Sequence, residues 1–175
     1  MEYAVALYFD KTIEEKINSL ILKIANDCGN KYMVDNKIPP HITISLFQYD
    51  DIIAPIIKII DENISWFKKG NISLVSIGIF NPNVLFIMPI VNNFLIKANR
   101  KITKLLESDK KINMDKNYIQ NQWVPHISLA VKLNTDELIN GIKTVINNYN
   151  AFGGEINRIV FSECNPYKEI KIWNL

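Results

Sequence analysis

Two short stretches of this chain are near copies of one another: Pro40-His41-Ile42-Thr43 and Pro125-His126-Ile127-Ser128. They lie 85 residues apart (126 − 41), about half of the 175-residue sequence, and they hold its only two histidines. Each opens a β-prone run, and on an extended strand successive side chains point to opposite faces. That alternation predicts His41, Thr43 and Ser45 on one face, with Ile42, Ile44 and Leu46 on the other. The second copy repeats it, with His126, Ser128 and Ala130 against Ile127, Leu129 and Val131. A strand that carries imidazole and hydroxyl on one side and aliphatics on the other belongs in a sheet with one buried face and one wet face. Two such strands, half a chain apart, call for a fold that builds this wall twice.

The rest of the chain supplies partners for them. Tyr3–Phe9 alternates, with Tyr3, Val5, Leu7 and Phe9 on a large apolar face and Ala4, Ala6 and Tyr8 on a face of small residues. Residues 10–27 place Ile13, Ile17, Leu20, Ile21 and Ile24 at helical spacing, with Thr12 as the expected N-cap, Glu15 three residues on, and Gly29 past the end. Residues 31–38 read as irregular. A helix is expected over 50–69, with Pro55 in its first turn, and strands over 71–80 and 84–90, joined by hairpin chemistry at Asn81-Pro82-Asn83. Another helix follows over 92–108, with Phe94, Leu95, Ala98, Ile102 and Leu105 as its buried stripe. A polar loop, a strand at 125–132, a helix from Asn134 or Thr135 to about Tyr149, and strands at 156–163 and 169–173 complete the reading. About seven strands and four helices result, an α+β chain.

Composition narrows the function classes. Twenty basic and eighteen acidic residues leave a formal charge of +2, too weak a field to grip long nucleic acid without specificity. No stretch approaches the roughly 20 apolar residues that span a bilayer, and the opening residues, with Glu2 where a signal peptide wants positive charge, read as cytoplasmic. Cys28 and Cys164 read as reduced, partly buried thiols.

Two imidazoles facing one another across a cleft suit displacement at phosphorus. One, neutral, takes a proton from the nucleophile while the other, protonated, gives one to the leaving oxygen. The hydroxyls of Thr43 and Ser128 would donate to the non-bridging phosphoryl oxygens as charge builds there. A metal site would need companion Asp, Glu or Cys side chains at ligand spacing, which the motifs lack. No metal or cofactor is expected.

The paired His-x-[Ser/Thr] motifs resemble those of the 2H (two-histidine) phosphoesterase superfamily, which includes the bacterial 2'-5' RNA ligases and RNA 2',3'-cyclic phosphodiesterases. The resemblance runs along nearly the whole chain: YAVALYFDKTIEEKI is similar to the family's first strand and helix, PPHITISLF to its first motif, WVPHISLAV to its second, and RIVFSECNPYKEIKIWNL to its closing hairpin. It implies one bilobal domain over 1–175, with two antiparallel sheets backed by helices, a pseudo-twofold relation between the lobes, and the histidines meeting over a central groove. It makes His41, Thr43, His126 and Ser128 the expected catalytic residues, Ser128 standing where Thr is more usual.

Its implied activity is metal-independent opening of 2',3'-cyclic phosphates to 2'-phosphates, with 2'-5' ligation as the reverse use of the same site. RNA ends or small nucleotides are the expected substrates, with no membrane partner, and a monomer is the expected state. Two other readings stand beside this: a hydrolase of small cyclic nucleotides or cyclic oligonucleotide signals, and an RNA-end binding module without turnover. Tyr8, as the one large residue on the small face of its strand, is a candidate for stacking on a base or bonding a phosphate. Trp123, three residues before His126, is a candidate base cap or a loop-to-core anchor. Arg158 is a candidate phosphate contact.

Overall fold

The computed structural model describes residues 1–80 and 83–175, so the turn expected at Asn81-Pro82-Asn83 lies, apart from Asn83, outside the described residues. Strand β1 (Glu2–Phe9) leads into helix α1 (Lys11–Cys28). The Asp10 carboxylate, rather than the expected Thr12, caps α1 by accepting from the Ile13 N–H at 3.1 Å, and its other oxygen accepts from the Glu155 N–H at 2.8 Å. One side chain thus both starts the helix and ties it to the sheet. Gly29, at φ 81°, ends α1 in the left-handed conformation that favours glycine.

A four-residue helix α2 (Tyr32–Asp35) occupies the stretch expected to be irregular, before β2 (Ile42–Gln48). Helix α3 (Ala54–Asn63) carries Pro55 in its first turn and gives way to a 3-10 turn at Ile64–Trp66. The hairpin β3 (Gly70–Phe80) and β4 (Val84–Pro89) precedes α4 (Asn93–Leu106), which is capped by Asn92. The expected polar loop contains a two-residue strand, β5 (Asn113–Met114), and a 3-10 turn, Lys116–Tyr118. Then come β6 (Ile127–Val131), α5 (Thr135–Asn148) with its Asn134/Glu137 capping box, and the closing pair β7 (Phe152–Cys164) and β8 (Tyr167–Asn174).

Every pairing is antiparallel, in the order β5-β2-β1-β7-β3-β4-β6, with β8 on β7. The expected pair of sheets is therefore one hydrogen-bonded sheet with a fork. The reason is the length of β7: its first residues, Phe152–Ile156, pair with β3. From Arg158 onward β8 takes over that edge, while β1 runs along the other side. Both arms of the fork share this strand, and what visibly repeats is local, at the motif strands.

The helices lie against one face of the sheet, where one continuous core joins the aliphatic residues of α1, α3, α4 and α5 to Val5, Leu7, Phe9, Ile42, Ile127 and Phe161. On the opposite face Ala6, Tyr8 and Val160 form a small separate cluster. The small-residue face read from β1 is thus the one turned away from the helices. Although β2 and β6 stand far apart in the strand order, Trp123, just before β6, donates its indole N–H to the Thr43 carbonyl of β2 at 2.9 Å. That bond ties the segment before the second motif strand to the first.

Candidate active site

Each histidine sits just before its strand and is held in the same way. His41 Nδ1 lies 2.7 Å from the Pro39 carbonyl oxygen, and His126 Nδ1 lies 2.9 Å from that of Val124. In both cases the acceptor belongs to the residue before the motif proline, and a proline holds its predecessor extended, which aims that carbonyl at the imidazole two residues on. A carbonyl only accepts, so Nδ1 carries the proton in the neutral ring and Nε2 is left with its lone pair.

The surroundings of the two rings differ. His41 stacks on Tyr8, centroids 5.6 Å apart and planes within 16°. His126 meets Phe80 edge-on at 4.8 Å and Phe86 at 5.4 Å. Phe86 can lie there because Gly78, its cross-strand partner, has no side chain: a Cβ at Gly78 would come within 2.4 Å of the Phe86 ring. Burial pushes the pKa of both imidazoles below the ordinary value, and a positive charge on His126 pushes that of His41 further in the same direction.

Thr43 and Ser128 are each the second residue of their strands, and each is followed by an irregularity that simple alternation misses. The partners of Thr43 and Ser45 are Ala6 and Val5, so Ile44 is an extra residue. The partners of Ser128 and Ala130 are Phe86 and Leu85, so Leu129 is an extra residue in the same place. Both strands bulge one residue after the hydroxyl. Ser45, expected beside Thr43, is instead fully buried opposite Val5, and Leu46, expected in the core, lines the groove. The sequence held one warning of this. Strict alternation would have put Phe47 on the histidine face, whereas Phe47 is a core residue packed on Tyr3 and Phe161.

The bulge frees backbone carbonyls, and two side chains collect them. Asn99, buried in α4, donates to the Ile44 carbonyl and to the Tyr118 carbonyl, each at 2.8 Å. Trp123 takes the Thr43 carbonyl. Trp123 therefore stands as the loop-to-strand anchor, its N–H committed to the protein. Asn99 was not singled out in the sequence, where it is one more asparagine in a helical stripe.

Tyr8 and Arg158 are cross-strand neighbours. The Tyr8 hydroxyl lies 2.7 Å from that of Tyr167, which donates in turn to Glu169 at 3.0 Å, so the Tyr8 O–H is spent within the protein. Arg158 lies 5.7 Å above the Tyr8 ring, pairs with Glu14 and donates to the Phe9 carbonyl at 2.8 Å. A phosphate would have to draw it away from Glu14. Beside His126 and Ser128 opens a cleft of about 520 Å³, walled on its far side by residues 115–124. No cluster of three His, Cys, Asp or Glu side chains able to hold a metal occurs among the described residues, and no helix among them is long and apolar enough to cross a membrane.

Neither protein-family models nor curated protein sequences match this chain. Solved structures do. LigT of E. coli, in its complex with 3'-AMP, superposes with a TM-score of 0.64 over 99% of this chain and 97% of its own, at 14% identity. The chain has the LigT fold. TT0787 of Thermus thermophilus shares it, with a TM-score of 0.65 over 100% of this chain and 98% of that one, again at 14% identity. Usb1 of Kluyveromyces marxianus is more distant, with a TM-score of 0.53 at 11% identity over 99% and 97% of the two chains. At such identities the LigT fold is what is shared, and the chemistry has to be argued from this chain's own residues.

Proposed function

We propose that residues 1–175 form a 2H phosphoesterase unit, a metal-independent enzyme that opens the 2',3'-cyclic phosphate of RNA ends or small nucleotides to the 2'-phosphate. The carrying observation is the pair of imidazoles with Nδ1 tied to a backbone carbonyl, which leaves Nε2 of each for proton transfer. One Nε2 takes a proton from water as its oxygen attacks phosphorus. The bond from phosphorus to O3' breaks, and the other imidazole, protonated, delivers its Nε2 proton to O3'. Water is consumed, the 2'-phosphate remains, and the two histidines end with their protonation states exchanged. Thr43 and Ser128 donate to the non-bridging oxygens, whose charge grows in the transition state. With a 5'-hydroxyl in place of water as nucleophile, the bond from phosphorus to O3' breaks in the same way, O3' takes the proton, and the same groups would join a 2'-5' linkage.

The LigT fold and the complexes of LigT with 3'-AMP and with phosphate support this choice of substrate class. The test is a panel of 2',3'-cyclic mononucleotides, cyclic-phosphate oligonucleotides and 2'-5' dimers, with and without excess EDTA. Release of 2'-phosphates undiminished by EDTA is expected. Activity lost on chelation and restored by one divalent ion would overturn the mechanism, and binding without turnover would leave an RNA-end binding module.

A further inference from the structure

The cleft beside His126 and Ser128 has a wall that the reaction itself does not use, the segment 115–124. Three features of that wall describe its ligand. First, it is rigidly built onto the first motif strand: the Asp115 N–H donates to the Leu46 carbonyl at 2.9 Å, the Asp115 carboxylate accepts from the Asn117 N–H at 2.8 Å, and Asn99 and Trp123 tie Tyr118 and the segment's end to the bulge. Backbone groups make these bonds at Asn117, Tyr118 and Gln122, so the side-chain amides of Asn117 and Gln122 are left to the cleft.

Second, the charge is wrong for a phosphate. Among the described residues that line the cleft there is no lysine or arginine, and Asp115 supplies a carboxylate. An anionic group is favoured at the histidine end and disfavoured at the wall. Third, the lining joins apolar surface, from Phe80, Val84 and Leu46, to amides that both donate and accept. A volume of about 520 Å³ falls inside the range of roughly 300–1000 Å³ typical of small-molecule sites.

We infer that this cleft is a nucleobase pocket: it receives the neutral base of the nucleotide whose phosphate meets the histidines, and Asn117 and Gln122 read the hydrogen-bonding edge of that base. This rests on the reading that His126 and Ser128 face the reacting phosphate. The wall then discriminates among bases, because an amide pair matched to one edge leaves unpaired donors or acceptors against another. It also ends the binding track, since no lysine or arginine among the described lining residues would seat a second phosphate. Base choice and chemistry are coupled through Asn99, which holds the wall and the bulge of the catalytic strand together.

Calorimetric titration of the full chain with inorganic phosphate and with the four nucleoside 2'-monophosphates tests this. The nucleotides should bind at least about tenfold more tightly than phosphate, the value of one good hydrogen bond or a little more, and unequally among the bases. The Asn117→Ala/Gln122→Ala double variant alters exposed side chains only and should melt as the parent does. It should bring the four affinities within about threefold of one another, while phosphate affinity stays put. Nucleotides that bind no better than phosphate, or a base preference unchanged in the variant, would overturn the inference. Its failure is separable from failure of the enzymatic reading: base-selective binding without turnover of any cyclic phosphate would sink that reading and leave the pocket standing.

Discussion

At His41 and His126 one backbone acceptor fixes the tautomer, and burial lowers the pKa of both rings. A base that must be neutral and an acid that must be charged then act together in a window below the usual histidine value of about 6.5. The profile of kcat/KM against pH should be a bell whose maximum lies on the acid side of neutrality, its alkaline limb falling near or below that value. Bound substrate adds negative charge, which raises both pKa values, so the profile of kcat should sit at higher pH. A bell centred above pH 7 in the free enzyme would contradict this arrangement. His41→Ala and His126→Ala should each cost about 100- to 10,000-fold in kcat, and the double variant should be scarcely worse than either, because both act in one transition state. Thr43→Val and Ser128→Ala should lower kcat roughly 10- to 1000-fold with little change in Tm. Unfolding instead would mark the hydroxyl as structural.

At the level of elements, the paired bulges decide where the site's side chains point, and the groups that stabilise the first bulge lie far away in sequence. Asn99→Leu keeps the branched shape and removes both donors, leaving the Ile44 and Tyr118 carbonyls without their partner. At about 1–3 kcal/mol for each buried group left unpaired, denaturant unfolding should show a loss of roughly 2–6 kcal/mol, with activity falling as the bulge relaxes. Trp123→Phe keeps the ring and removes one donor to Thr43, so a loss of about 1–3 kcal/mol is expected, with KM for every base raised alike. A Trp123→Phe change confined to one base would mean that the indole reads the substrate after all. Period-2 reading was reliable for β1, whose partners are regular as far as Val5, and misplaced Ser45 and Leu46 where an extra residue intervened. Bulges are set by the partner strand and by distant donors such as Asn99, so local alternation carries little trace of them.

For the whole molecule, two imidazoles held below their unfolded pKa make stability depend on pH. Below about 6.5 the unfolded chain binds protons that the folded chain refuses, so stability is fully present above that value and is lost as pH falls toward the folded values. Tm should drop between pH 7.5 and 5.5, and replacing both histidines by asparagine should flatten that slope. An equal slope in the double variant would assign the loss to other groups. The sequence by itself determined the motif pair, the class of elements and the side of β1 that packs on the helical core, because these follow from spacing within single segments. Asp10 rather than Thr12 as a cap, one forked sheet in place of two, the spent hydroxyl of Tyr8 and the cleft wall at 115–124 were decided only by the tertiary structure. Each depends on a contact between residues more than 60 positions apart, such as Asp10 with Glu155, Tyr8 with Tyr167, and Trp123 with Thr43. No local pattern encodes such a contact, since it exists only once the elements that carry the two residues have come together.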